Sequence, residues 1–120
     1  MALHTELPIH RTGRRLLALA VKVQVQMPRS VKRILGDQIM QQCVDMLALM
    51  ALANASKPAQ RAAYIETLLT TKNATADLLH VCFDMRYLSP ELWAGSIELL
   101  GSIGKQGGGW LKSANKAPAA

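Results

Sequence analysis

Aromatic residues are scarce in this chain: two Trp, two Tyr and one Phe make up 4% of 120 residues. A core must therefore be filled by Leu, Ile, Val, Met and Ala, most of which suit helices. Cysteine is equally sparse. Cys43 and Cys82, with no framework spacing, exclude a disulfide scaffold or a zinc module and are expected as reduced thiols packed like small apolar side chains. Charge is low at 18% against 50% hydrophobic residues, which excludes a disordered chain. No apolar run approaches the roughly 20 residues a bilayer requires, since the longest, residues 43–55, contains Asp45. Arg14-Arg15 ahead of Leu16 invites a signal-peptide reading. The apolar run ends at Lys22 with no small-x-small cleavage site, so it reads as an amphipathic helix. The expectation is a cytoplasmic protein with no membrane segment.

The residues that carry catalysis or bind metals are missing in any useful pattern. His4, His10 and His80 form no His-x-x-x-His, Glu-x-x-His or Cys-x-x-Cys spacing, so neither a metal nor another cofactor is expected. His4 and His10 read as part of a ragged N-terminus. Cys82 does not face His80 on a helix, where neighbours lie three or four residues apart. Gly107-Gly108-Gly109 is not a phosphate loop, because no strand precedes it and no Lys-Ser/Thr follows. No enzyme is read here.

What is present is a concentrated positive charge. Residues 1–33 hold seven basic residues and one acid, and residues 34–120 hold seven of each, so the whole net charge of +6 sits in the first quarter. Such polarity suits nucleic acid or an acidic protein surface as partner, against the plainer reading of a solvated helix face.

Hydrophobic periodicity marks four helices. The first spans residues 9–26 with Leu16, Leu17, Ala20 and Val23 inward, and Met27-Pro28 ends it. The second spans 29–53, with Leu35, Ile39, Cys43, Met46, Met50 and Ala53 in phase. The third spans 57–87 behind Ser56 as N-cap, with Ile65, Leu68, Leu69, Ala76, Leu79, Cys82 and Phe83 inward. Weak helix formers at residues 70–75 suggest a local irregularity. Ser89-Pro90-Glu91 is the best start signal, opening a fourth helix to Lys112. Residues 113–120 read as a disordered tail. The expected fold is all-α: one domain over residues 1–112, an antiparallel up-down-up-down four-helix bundle.

Two features point to assembly into a homo-oligomer. Residues 43–55 are apolar almost all round the helix, which implies burial on more than one side. The fourth helix also spends interior glycines, each costing about 1 kcal/mol against alanine. Gly101, Gly104 and Gly108 fall within roughly 60° of one another at 100° per residue. Met50, Gly101, Gly104, Gly108 and Trp110 are the expected interface residues. On the first helix, Arg11, Arg15 and Lys22 lie within about 40° of each other with Arg14 nearby, and Arg29, Lys32 and Arg33 form a second cluster.

Two stretches resemble a known family. Met27-Pro28-Arg29-Ser30-Val31-Lys32-Arg33-Ile34-Leu35-Gly36-Asp37-Gln38-Ile39 resembles the "(F)PRS-x-(R/K)-x-x-LGD-(R)-I" signature, and Ile103-Gly104-Lys105-Gln106-Gly107-Gly108-Gly109-Trp110-Leu111-Lys112 resembles "IGR-x-LGGWLK". Both belong to accessory variability determinant proteins of diversity-generating retroelements, related to proteins encoded in intervening sequences of ribosomal RNA genes. The similarity covers residues 7–113, with departures at Met27 (usually aromatic), Gln38 (commonly arginine) and Gly107 (usually apolar). It implies a basic, non-enzymatic, ring-like homopentamer that binds reverse transcriptase and template RNA or cDNA in mutagenic retrohoming. Arg29, Lys32 and Arg33 then match the basic junction residues, and Lys105 and Lys112 those of the terminal motif. The alternatives are an intervening-sequence-type bundle protein of unassigned role and a purely structural assembly protein.

Overall fold

The prolines show where the helices begin. Pro8, Pro58 and Pro90 each sit in the first turn of a long helix, and Pro28 immediately precedes another. A missing N–H costs nothing there and the fixed φ is already helical. A computed structural model describes residues 3–117. Within them a 3-10 turn, His4–Glu6, leads into α1 (Pro8–Gln26). Helix α2 is a composite of an α-helical turn Arg29–Val31, a π-helical turn Lys32–Gly36 and an α-helical rod Asp37–Ala55. Helices α3 (Pro58–Asp84) and α4 (Pro90–Lys116) complete an all-helical architecture, with no strand among the described residues.

Each helix packs on two others: α1 and α3 both contact α2 and α4, and neither contacts the other extensively. The connections are two to five residues, and the whole measures 50 × 20 × 19 Å. A 27-residue helix is about 40 Å long, so the helices must run back and forth along the long axis. The four apolar stripes meet in a core whose fully buried members include Leu16, Val23, Ile39, Met46, Met50, Leu68, Leu79 and Ile103, and Ala53, Ile65 and Ala114 form a second hydrophobic cluster. Truncating one of these typically costs about 2–5 kcal/mol.

Several expectations are corrected. Ser56 does not cap α3; its Oγ donates back to the Leu52 carbonyl at 2.6 Å and closes α2, while Lys57 is the α3 N-cap. Residues 70–75 are regular helix. The hydroxyls of Thr67, Thr70, Thr71 and Thr75 all donate to carbonyls four residues back, which satisfies them without breaking the ladder. Thr75 is also fully buried, with Oγ1 2.7 Å from Gln42 Oε1, so this polar stretch pins α3 to α2. Helix α3 ends at Asp84 rather than Tyr87. Residues 113–116, expected in a tail, belong to α4, where Ala114 packs against Ala53 and Ile65; residues 118–120 lie outside the described part. His10 is not ragged but buried in the first turns of α1.

Candidate nucleic-acid interface

Helix α1 contains four basic residues and no acid. Ile9, Gly13, Leu16, Ala20 and Val23 turn inward, which leaves Arg11, Arg15 and Lys22 exposed on the opposite face beside Ala18, Val21 and Val25. At 1.5 Å rise per residue, Arg11 and Lys22 are about 16 Å apart along the axis. None of these three is held by a carboxylate. Among the described residues the one ion pair is His80 Nε2 to Asp84 Oδ1, 3.7 Å apart, which involves no Lys or Arg.

Arg14 behaves differently from its neighbours. Its Nη1 donates to the Thr5 carbonyl at 3.1 Å and to His10 Nδ1, so it ties the 3-10 turn onto α1. Burial, then Arg14, then His4 hold the His10 imidazole below its ordinary value, which keeps Nδ1 available as acceptor. Arg11 Nη2 also reaches the Glu6 carbonyl, at 3.4 Å.

The second cluster sits on the π-helical turn. One additional residue per turn rotates the side chains out of α-helical phase. Arg29, Arg33 and Ile34 are exposed while Lys32, grouped with the two arginines in the sequence, is half-buried. Gly36 explains how this turn fits against α1: a Cβ there would meet Gln24 Cγ at 2.6 Å, and Gln24 Nε2 donates to Asp37 Oδ1 at 2.6 Å. The Leu35-Gly36-Asp37 sequence is therefore a docking device for the end of α1. Lys105 and Lys112 are exposed on α4, adjacent to α1. The hydrogen bond from Gln106 Nε2 to Thr12 Oγ1, 3.0 Å, sets Lys105 level with Arg11.

The expected interface residues do not form one strip. Met50 has no exposed surface; it lies beneath Gly13, whose Cβ would meet its Cε at 3.0 Å, and belongs to the core. Gly104 is covered by Lys72, whose Nζ lies 3.0 Å from where a Cβ would be. Trp110 is half-buried against both hydrophobic clusters. Gly101 and Gly108 have open space over them and remain available. The tightest glycine of α4 is Gly107, against Leu69 at 2.8 Å, and the reason for a glycine there lies on another helix. Cys43 and Cys82 are buried and unpaired by disulfide, and burial pushes both thiols up, Cys43 to about 12.

No family model, curated protein or solved structure matches this chain. Among the described residues no helix is long and apolar enough to cross a membrane, and no group of three or more His, Cys, Asp or Glu could hold a metal ion.

Proposed function

We propose that this chain is a nucleic-acid-binding accessory protein of the accessory variability determinant type, working with a reverse transcriptase and its template RNA or cDNA in a diversity-generating retroelement. The observation that carries the reading is the acid-free outer face of α1, continued by Arg29 and Arg33, with no carboxylate paired to any of its cations. Free cations spaced along one side suit phosphates, where counterion release supplies most of the binding energy and little sequence selectivity. The resemblance of the stretches around Arg29 and Gly107 supplies the family.

Assembly into a ring-like homo-oligomer, a homopentamer by that resemblance, is part of the proposal. Val44 and Leu52, 46% and 47% exposed, lie two turns apart on α2; Ile97, 51% exposed, shares the outer side of α4 with open Gly101. Helices α2 and α4 are on opposite sides of the bundle. Two unlike patches on opposite sides make a head-to-tail contact, which closes into a ring when the rotation allows.

The test is RNA affinity at several salt concentrations for the parent and for a variant with Arg29, Lys32 and Arg33 changed to Ala. The variant should bind more weakly and show a salt slope flatter by about 0.7 to 0.9 for each phosphate it no longer neutralises. Unchanged affinity at two salt concentrations would move the cluster to an acidic protein surface, with the polymerase tested first.

A further inference from the structure

The chain has eight glycines and none adopts a positive φ; Arg86 does, at 60°. It ends α3 in a six-to-one turn, with the Tyr87 N–H donating to the Cys82 carbonyl at 2.8 Å and the Arg86 N–H to the Phe83 carbonyl at 2.9 Å. Glycine is the residue that fits this left-handed position without strain, and a Cβ there is unfavourable. The turn itself gives no reason for arginine.

Its surroundings suggest one. Arg86 lines an open cavity of about 700 Å³ with Phe83, Tyr87, Asp84, Gln26 and Ser89. That lies within the roughly 300–1,000 Å³ of small-ligand sites. No partner among the described residues pairs with its guanidinium. Gln26 Oε1 accepts from the Ser89 N–H at 3.0 Å, and these two residues also line a neighbouring cavity of about 350 Å³ that reaches Lys22. An unpaired guanidinium in a cavity lined by two aromatic residues, with a lysine in the adjoining cavity, matches an aromatic base carrying phosphates.

We propose that this cavity holds one nucleotide of a bound single strand, its base against Phe83 and Tyr87 and its phosphate on Arg86, the strand continuing past Gln26 to Lys22. The inference rests on the nucleic-acid reading of α1 and adds a discrete subsite to it. The Asp84 carboxylate at the cavity wall accepts from an exocyclic amine, which favours adenine or cytosine over uracil. Glu91 in the neighbouring cavity leaves Lys22 as the cation on which the backbone must run.

The test measures AMP, UMP and a short single-stranded oligoadenylate by calorimetric titration, alongside melting temperature. Arg86→Gly should melt no lower than the parent, because it relieves the left-handed residue, yet bind AMP and the oligonucleotide about tenfold more weakly. Tyr87→Leu, which keeps an apolar side chain after the turn, should also weaken both ligands. The Arg29/Lys32/Arg33→Ala variant should retain AMP binding while losing affinity for long RNA. An Arg86→Gly protein that melts lower than the parent, or binds both ligands unchanged, overturns the subsite. If long RNA still depends on the Arg29 cluster in that case, the broader reading stands. A parent that binds AMP but not the oligonucleotide overturns the placement of a strand and assigns the cavity to free nucleotide. A parent that binds neither overturns the proposal.

Discussion

Helices α1 and α3 stand at opposite corners of the bundle, and their outer faces carry opposite charge. On α1 the exposed charges are Arg11, Arg14, Arg15 and Lys22, with no acid. On α3 the exposed carboxylates are Glu66, Asp77 and Asp84, and steps of eleven and seven residues put them within about 20° of one line. Helix α3 does contain cations, but the fold removes them from the outer face. Arg61 donates to the carbonyls of Ala53 at 2.9 Å and Ser56 at 2.8 Å, tying the α2–α3 turn, and Lys72 lies half-buried across Gly104. Helix α3 therefore presents an acidic face although residues 34–120 are neutral in sum. Net charge read along a chain does not give the charge of a surface, because packing chooses which side chains remain outside.

The largest expected effect tests that polarity. Changing Arg11, Arg15 and Lys22 together to Gln should weaken RNA binding by roughly a hundredfold near physiological salt, as three phosphates are no longer neutralised. Changing Glu66 and Asp77, which line none of the cavities around Arg86 and Lys22, to their amides should shift it less than about threefold, and toward tighter binding, because these charges act only at long range. Comparable effects of opposite sign from the two faces would mean that total charge, not the α1 surface, governs binding. Lys72, which belongs to the neutral part of the sequence, is a poor control, since its substitution disturbs the packing over Gly104.

The inner and outer sides of α4 give a contrast of intermediate size, read by urea denaturation. Gly107→Leu should cost about 1–3 kcal/mol, because its side chain would enter the space held by Leu69. Gly101→Ala and Gly108→Ala should each stabilise the fold by up to about 1 kcal/mol, since nothing lies over them and alanine is the better helix former. If those two alanine variants also reduce assembly by light scattering, the open glycines are subunit contacts. An unchanged assembly removes them from the interface.

The smallest effect separates Arg14 from the other cations of α1. The His10 imidazole is held below the ordinary value of 6.5, so the unfolded chain binds the proton more readily than the folded one. Stability contributed by neutral His10 is therefore present above about pH 6.5 and declines as pH falls through the folded value. Protonation also removes the acceptor of Arg14, so the 3-10 turn should loosen first. Amide exchange at residues 4–7 should rise between pH 7.5 and 5.5 in the parent, once corrected for the intrinsic pH dependence of exchange. That rise should be smaller in His10→Gln, which keeps an acceptor and cannot titrate. Arg14→Ala should mimic the acid state and weaken RNA binding less than loss of Arg15 or Lys22, because Nη1 is committed to the Thr5 carbonyl and His10 while the charge itself remains.

Much of the fold was legible along the chain. The four helices and the inward phase of Leu16, Ile39, Met46, Leu68 and Leu79 follow from a period of three to four residues, and the starts from proline with Ser89 as cap. The threonine-rich stretch of α3 misled because propensity scores each residue in isolation. In the folded chain each hydroxyl finds a carbonyl one turn back, and Thr75 is covered by Gln42 from α2. The basic residues of the candidate site were all visible in the sequence. Their division into free, half-buried and engaged was not, because a π-helical turn sets Lys32 and Arg33 in different surroundings and the carbonyl of Thr5 captures Arg14.

By itself, then, the sequence determined the local matters: an all-helical chain, where each helix starts, which face is apolar, and that the excess charge lies before residue 34. These depend on neighbours within a turn or two, so their causes sit beside them in the chain. Only the tertiary structure decided that Met50 is core rather than interface, that Gly107 and not Gly104 meets an apolar side chain of the facing helix, and that the carboxylates alone remain as exposed charges on α3. Each of those outcomes is set by a contact across the bundle, from Gly13 to Met50, Leu69 to Gly107 and Lys72 to Gly104. Close packing makes the identity of a residue's neighbour matter to within a methyl group, and that neighbour lies more than thirty positions away in the chain.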